Sequence, residues 1–462
     1  MRGSNLAELR APLSDVDGAL DLVDGFDDAL GHGFARLGEE RAGRLTVLAG
    51  AVAGSPLGDA VADAVAKVAA GSVSEEHLSA LAAARAALLG AAHDALLARC
   101  DAALGRTRES WQPSASEGPP VAPNLLAGVR AWLTEVAVTG WRGVDHELVS
   151  ASAPLVEALY GEPALRRVAV LLDGLTDELR ASSPVATMPR LPERRWADLW
   201  SRALLLTRAG AWGAAGATDV TGRLLVLGVD VHEHATAVRV QVHGVLEPAG
   251  GDTPRLVRTN LVAAKVDTIV GPAVWQLFGD RPVLLGALAG GHALDLVDMP
   301  LLPGGDLVWH DERASAGAPA DPFATARVLL PGAVAPPVHP LDRHPVGVAT
   351  PVLIEGFTAG EGGFDIDGET LTVDVESLPD CGPLTAEAVA AAEACIGLLR
   401  WDAGRWSLRP LAVRGTVKRK PVATHTGDWA LGPTDPKVVK AAAKAGDAVS
   451  VLRERAGRLL RK

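Results

Sequence analysis

GRLLVLGVDVHEHATAVRVQVHGVL, residues 222–246, is the stretch that decides the fold class of this chain. Apolar residues alternate with other residues along its first arm, 225–231, and again along its second arm, 238–242. A period of two is typical of a β-strand that is buried on one face. The stretch therefore predicts two neighbouring strands, and it places the change from helix to strand near the middle of the chain.

The two arms also predict a hairpin and its register. A short loop at Glu233–Thr236 would set Leu227 opposite Val242 on the apolar face and Asp230 opposite Arg239 on the other face. Opposite charges facing each other across two strands stabilise such a pairing. We therefore predict an antiparallel hairpin in this register.

Before the hairpin the apolar period is that of helices, and after it strands dominate. Apolar residues recur at three- and four-residue spacing through most of the first half, and a Pro/Ser-rich stretch without periodicity interrupts them. The predicted fold class is α+β, with an all-α N-terminal half, a mainly antiparallel β C-terminal half with an inserted helix, and a basic terminal helix. The predicted segments are a helical domain at 1–106, a linker at 107–123, a second helical region at 124–210, a β-rich domain at 215–430 and an amphipathic helix at 433–462.

Several elements of the β-rich half can be predicted individually. Asp367–Gly368 is a favoured hairpin turn and predicts a second hairpin over Phe364–Val375. The inserted helix is expected at Thr385–Leu399. Further strands are expected at Arg281–Leu285, Ala326–Leu330, Thr350–Glu355 and Trp406–Val417.

Composition limits the compartment and the partners. The net charge of −12 disfavours binding to a phosphate backbone, so no nucleic acid is expected. Three scattered cysteines suit a reducing compartment. The N-terminus has no secretory h-region, and no apolar run reaches the length of a membrane span. The expected location is the cytoplasm.

Two histidines on the hairpin are candidate metal ligands. His232 and His234 are two residues apart, and on a strand they would point to the same face, as in some metal sites. The alternative is a solvated hairpin tip, where polar residues are expected in any case. A transition metal is therefore one hypothesis for this position, and no other cofactor is predicted.

Sequence motifs for catalysis and nucleotide binding are absent. The chain has no GxxxxGK[ST] or GxGxxG phosphate loop, and no GxSxG, SxxK or HExxH pattern. This favours a protein that is not an enzyme.

The terminal helix is a candidate partner-binding element. Its apolar residues recur at alternating four- and three-residue steps, and basic residues occupy the other faces. It could receive a partner protein, dock on the helical domain of its own chain, or contact an anionic membrane surface. The residues predicted to bind a partner are Val438, Val449, Leu452, Arg455, Arg458 and Leu459.

Three segments carry a resemblance to a known group of proteins. These are RRWADLWSRALLLT (194–207), the hairpin stretch 222–246, and LLRWDAGRWSLRPLAV (398–413). Together they resemble uncharacterised bacterial proteins encoded beside MoxR-type AAA+ ATPases and von Willebrand A-domain proteins. The resemblance implies an accessory role near an ATPase, and it assigns no functional residue.

The hypothesis that follows is a non-enzymatic interaction or scaffold protein, with a protein partner and an accessory role in such a system. The alternative is a metal-dependent, hydrolase-like enzyme with its site in the β-rich domain.

Overall fold

The N-terminal half is helical. The computed structural model describes residues 1–112, 122–208, 216–234, 236–360, 362–417, 419–445, 449–451 and 454. The helices of this half are α1 (Gly3–Arg10), α2 (Ser14–His32), α3 (Glu39–Val52), α4 (Gly58–Ala69), α5 (Glu75–Leu104), α6 (Pro123–Thr139), α7 (His146–Ser150), α8 (Ala153–Tyr160), α9 (Arg166–Ala181) and α10 (Glu193–Arg208). The α+β class is confirmed, while most of the predicted linker lies outside the described residues.

Helix α5 is the centre of this half, because α1, α2, α3, α4, α6 and α10 all contact it. Ser74 caps the N-terminus of α5, since its hydroxyl accepts a hydrogen bond from the His77 N–H. Apolar side chains from the five longest helices, α2, α5, α6, α9 and α10, enter one core. Trp196 and Trp200 of α10 are fully buried there, so their four-residue spacing marks a packing ridge.

One helix among the described residues, α5, is long and apolar enough to cross a membrane by length and composition alone. Half of its most apolar window is buried inside the protein. The core helix of a soluble protein passes the same test of length and composition, so this one helix is weak evidence for a membrane span.

The first part of the β-rich half is a closed barrel. Its strands are β1 (Thr218–Glu233), β2 (Ala237–Pro248), β3 (Arg255–Ala264), β4 (His292–Leu301), β5 (Asp306–Leu307) and β6 (Ala314–Pro319), with helix α11 (Pro282–Gly290) between β3 and β4. The order β1-β2-β3-β5-β4 closes because β4 also pairs with β1, and only β3 and β5 run parallel. This is the connectivity of the OB-fold, a five-stranded Greek-key barrel.

The barrel hairpin exists, but its predicted register was wrong by two residues. Asp230 lies opposite Gln241, and Arg239 lies opposite His232. The turn is shorter than predicted, since the His234 N–H already bonds the Ala237 carbonyl. A shift of two preserves the faces near the turn.

A β-bulge at Leu227 reverses the faces of β1 further along the strand. The register shifts between Val226 and Gly228, so Leu227 is the extra residue. Leu227 consequently packs outside the barrel with Val245, whereas Val229 packs inside it. The sequence placed Leu227 and Val229 on one face, because strict alternation assumes an unbroken strand.

A second sheet packs against the barrel. Its strands are β7 (Ala349–Glu355), β8 (Thr358–Gly360), β9 (Gly363–Ile366), β10 (Glu369–Val373), β11 (Ala394–Asp402), β12 (Arg405–Val417) and β13 (Lys420–His425), in the order β7-β11-β12-β10-β9-β8 with β13 beside β12. The hairpin with a turn at Asp367–Gly368 is confirmed, because Ile366 pairs with Glu369. Two short helices accompany the sheet, α12 (Pro322–Val328) and α13 (Ala386–Ala390).

Three element predictions in this half were wrong. The segments 281–285 and 326–330 lie in or at the end of α11 and α12, and each of these helices begins with a proline, which suits a first helical turn. The helix predicted at Thr385–Leu399 ends at Ala390, and β11 follows. Residues 394–399 are buried on both faces of the sheet, so their apolar run does not alternate and was mistaken for a helix.

Helical and β segments share one core. Leu6 of α1 and Cys100 of α5 pack with Ile354 of β7 and Leu408 of β12. The segments predicted as 1–106 and 215–430 are thus joined by common apolar packing.

The terminal helix packs on the barrel of its own chain. It begins as α14 (Pro436–Ala445). Val438 lies against the barrel core, and Val449 is 3% exposed within that core. Leu452, Arg455, Arg458 and Leu459, the other predicted partner-binding residues, lie outside the described residues.

We expect Val449→Ala to lower the free energy of unfolding by about 2 kcal/mol, because it removes two buried methyl groups. Val439→Ala, on the exposed side of α14, should change it by less than about 0.5 kcal/mol. Urea denaturation of the full chain measures both. Equal effects would contradict the docking of this helix on the barrel.

Candidate functional site

A buried ion pair joins the barrel to the second sheet. Arg409 of β12 donates from Nε to Asp230 Oδ1 of β1 at 2.5 Å. Arg409 also donates to the Val231 carbonyl at 3.2 Å and lies 3.5 Å from Asp374 Oδ2. Asp230 and Arg409 are 3% and 4% exposed, so the pair is closed off from solvent.

The bulge of β1 creates the space for this contact. Gly228 follows the extra residue, and a Cβ there would lie 2.6 Å from Cβ of Leu411. Glycine therefore lets β1 and β12 approach closely. The outward face of β1 beyond Gly228 then points Asp230 at Arg409.

Neighbouring groups fix the charge of Asp230. Burial alone would raise its pKa, but a hydrogen bond with His232 Nε2 at 2.8 Å and the charge of Arg409 outweigh burial. Together they hold the pKa of Asp230 far below its ordinary value. Asp230 is thus a carboxylate at neutral pH.

Two further arginines flank the ion pair, one on each side. Arg239 of β2 lies opposite His232, diagonal to Asp230 on the same face. Arg400 of β11 lies opposite Ser407, diagonal to Arg409 on the face that meets the barrel. We call Arg239 and Arg400 the arginine pair.

Neither member of the arginine pair has a carboxylate within 4 Å in the described part of the chain, and Arg239 reaches solvent. Burial lowers the pKa of Arg239, the charge of Asp230 raises it, and the positive charges of Arg400, Arg258 and Arg409 lower it further. Arg239 and Arg400 therefore repel each other, and Asp230 offsets part of this repulsion.

The outer face of β2 and β3 continues this surface. Gln241 donates to Asn260 at 2.7 Å, and Arg258 binds Asp306 of β5 through two nitrogens at 2.7 and 3.1 Å. Val262 lies directly opposite Arg239 and is 68% exposed. A polar strip thus ends in an accessible apolar side chain beside an unpaired arginine.

His243 lies deeper on the same face and is uncharged. Burial lowers the pKa of His243 to about 3. Its Nε2 is buried without a hydrogen-bond partner. His243 is therefore a neutral group at physiological pH.

The two predicted metal ligands occupy different environments. His232 is half-buried and bonded to Asp230, whereas His234 is exposed at the turn. Among the described residues, no group of three His, Cys, Asp or Glu side chains could hold a metal ion. The metal hypothesis for His232 and His234 therefore stays a prediction.

Sequence reasoning missed Arg409 and Arg400. Both stand in strands that are otherwise almost wholly apolar, LLRW and SLRPLAV. Because a charged residue is rarely buried unless it is paired, a lone arginine in such a strand predicts a buried acidic partner. Asp230 stands in the same way between two valines, so the sequence VDV predicts a buried basic partner.

The chain was compared with protein families, curated proteins and solved structures. No family model, no curated protein and no solved structure matches the chain.

Proposed function

We propose that this chain is a non-enzymatic interaction protein, and that it binds an acidic segment of a partner protein at the arginine pair. The observation that carries the proposal is that Arg239 and Arg400 flank a satisfied buried ion pair, while no carboxylate of the described residues lies within 4 Å of either guanidinium. Guanidinium groups bind carboxylates through paired hydrogen bonds, and arginine is enriched at protein interfaces.

The charges at this junction suit recognition better than proton transfer. Asp230 remains ionised and His243 remains neutral at physiological pH, because their pKa values are both shifted downward. General acid–base catalysis favours groups whose pKa lies near the working pH. Fixed charges, in contrast, give a binding surface its specificity.

Two observations favour a protein over a nucleic acid as the partner. Barrels of this topology often bind oligonucleotides on this face, but such sites stack bases on aromatic side chains. Here the outward residues of β2 and β3 are polar, charged or aliphatic, and Val262 is the exposed one next to Arg239. The net charge of −12 also repels polyanions at long range.

The resemblance described above identifies the first partner to test, an ATPase or adaptor protein encoded nearby. A tagged full-length chain would be used to capture proteins from its native cell. The captured partner would then be divided into peptides, and their affinity for the purified chain measured by fluorescence anisotropy.

We expect an acidic peptide to bind, and Arg239→Glu/Arg400→Glu to weaken it at least tenfold, because like charges then face each other. Arg10→Glu/Arg180→Glu, which changes the net charge equally at exposed sites, is the matched control. Equal loss in both variants, or tighter binding of a single-stranded oligonucleotide than of any peptide, would overturn the proposal.

A further inference from the structure

A cavity of about 460 Å³ lies where the helical half meets the second sheet. It is bordered by α1, the end of α5, the end of α12 and β7. Its volume is within the range of small-molecule sites, which often occur where parts of a fold meet. Its apolar walls are formed by Ala103, Leu104, Ala326, Leu330, Val352 and Leu353.

Arg106 is the most deeply buried of the charged groups at the cavity, whose lining also includes Met1, Arg2, Arg327 and Glu355. Arg106 is 9% exposed. Its Nη2 donates to the carbonyls of Leu330 at 3.0 Å and Pro351 at 3.1 Å, while Nε and Nη1 are buried without a partner. Burial lowers the pKa of Arg106, yet a guanidinium stays protonated in proteins. The positive charge is therefore present and incompletely satisfied.

Neighbouring arginines are compensated, and Arg106 is different. Arg108 pairs with Asp101 through two nitrogens at 2.9 and 3.0 Å, and Arg327 pairs with Glu355. In the described part of the chain, no carboxylate forms a hydrogen bond with Arg106. Because an unpaired buried charge is strongly destabilising, a site that keeps one is suited to receive the counter-charge from a ligand.

We propose that this cavity binds a small organic carboxylate, with its carboxylate on Arg106 and its hydrocarbon body against the apolar walls. Arg106 is buried and has no carboxylate bonded to it among the described residues, which suits a carboxylate head group on the ligand. The aliphatic lining favours a hydrocarbon body over a polar one. This site lies apart from the arginine pair, so it can succeed or fail independently of the proposed function.

Calorimetric titration of the full chain with three probes tests the two halves of this site separately. Sodium octanoate supplies both head and body, 1-octanol supplies the body without the charge, and inorganic phosphate supplies an anion without the body. We expect saturable binding of octanoate, with 1-octanol and phosphate at least tenfold weaker. No octanoate binding at millimolar concentration, or equal binding of 1-octanol, would overturn the proposal.

Three variants locate the binding. Arg106→Met, of similar size but uncharged, should weaken octanoate at least tenfold. Arg142→Met is the control, since Arg142 also donates to two backbone carbonyls but does not line the cavity. Leu353→Trp keeps Arg106 and fills the cavity, so it should also abolish binding. Unchanged octanoate affinity in Arg106→Met or in Leu353→Trp would contradict the site.

Discussion

Asp230→Ala should lower the free energy of unfolding by about 3–5 kcal/mol, because it leaves Arg409 buried without its counter-charge. Arg409→Ala should cost a similar amount for the converse reason. The double variant Asp230→Leu/Arg409→Met should lose less than either single variant, since apolar groups replace both charges together. Urea denaturation gives the free energies, and hydrogen exchange of β1 localises the effect.

The matched control for this prediction is another aspartate–arginine pair that involves β1. Arg223 and Asp295 lie 3.4 Å apart with about half of each side chain exposed. Asp295→Ala should therefore cost no more than about 1 kcal/mol. If Asp230→Ala costs as little as Asp295→Ala, the buried pair does not hold the barrel on the second sheet.

The same pair predicts a dependence of stability on pH. The folded pKa of Asp230 lies below the unfolded value of about 3.9. Its contribution is thus fully present above the unfolded pKa, and it is lost as pH falls from about 4 toward the folded pKa. Acid titration of the unfolding midpoint should show a smaller decrease in Asp230→Asn than in the wild type.

Turns and amphipathic helices could be predicted from the sequence, because each depends on residues that are close together in the chain. The turn at Asp367–Gly368 depends on two adjacent residues, and the structure confirms it. Helices with a clear three- and four-residue period were likewise found, because their apolar stripe is set by their own sequence.

The predicted register of the first hairpin was wrong because the ionic partner of Asp230 lies far away in the sequence. Asp230 appeared to need Arg239 opposite it, yet its ionic partner is Arg409, 179 positions later in the chain. Once Arg409 satisfies the carboxylate, Arg239 is free to lie opposite His232. A pairing argument within one hairpin cannot include a partner from another sheet.

The candidate site could not be predicted from the sequence for a related reason. Its defining property is that no carboxylate among the described residues pairs with Arg239 or Arg400. The same holds for Arg106 at the separate cavity. Whether a charge is paired depends on every element packed around it. Sequence can indicate that a lone charge in an apolar strand needs a partner, but only the fold shows which charges remain unpaired.

Gly140→Ala should destabilise the helical half by at least about 4 kcal/mol. Gly140 ends α6 with a φ of +75°, and a Cβ there would lie 2.4 Å from the backbone nitrogen of Gly33. Gly33 ends α2 with a φ of +89°, and a Cβ there would lie 2.7 Å from the backbone of Thr139. Because both contacts are with backbone, no side chain can move aside to relieve the clash.

Gly174→Ala, in the same half of the molecule, should stabilise the protein where Gly140→Ala destabilises it. Gly174 lies inside α9, and a Cβ there would meet nothing within 4 Å. Alanine should therefore stabilise the helix by about 0.5–1 kcal/mol, since glycine has more conformational freedom to lose on folding. Tryptophan fluorescence reports both variants, because Trp141 follows Gly140 and packs 5.6 Å from Trp196. A Gly140→Ala protein within 1 kcal/mol of the wild type would show that α2 and α6 can separate at this crossing without loss of the core.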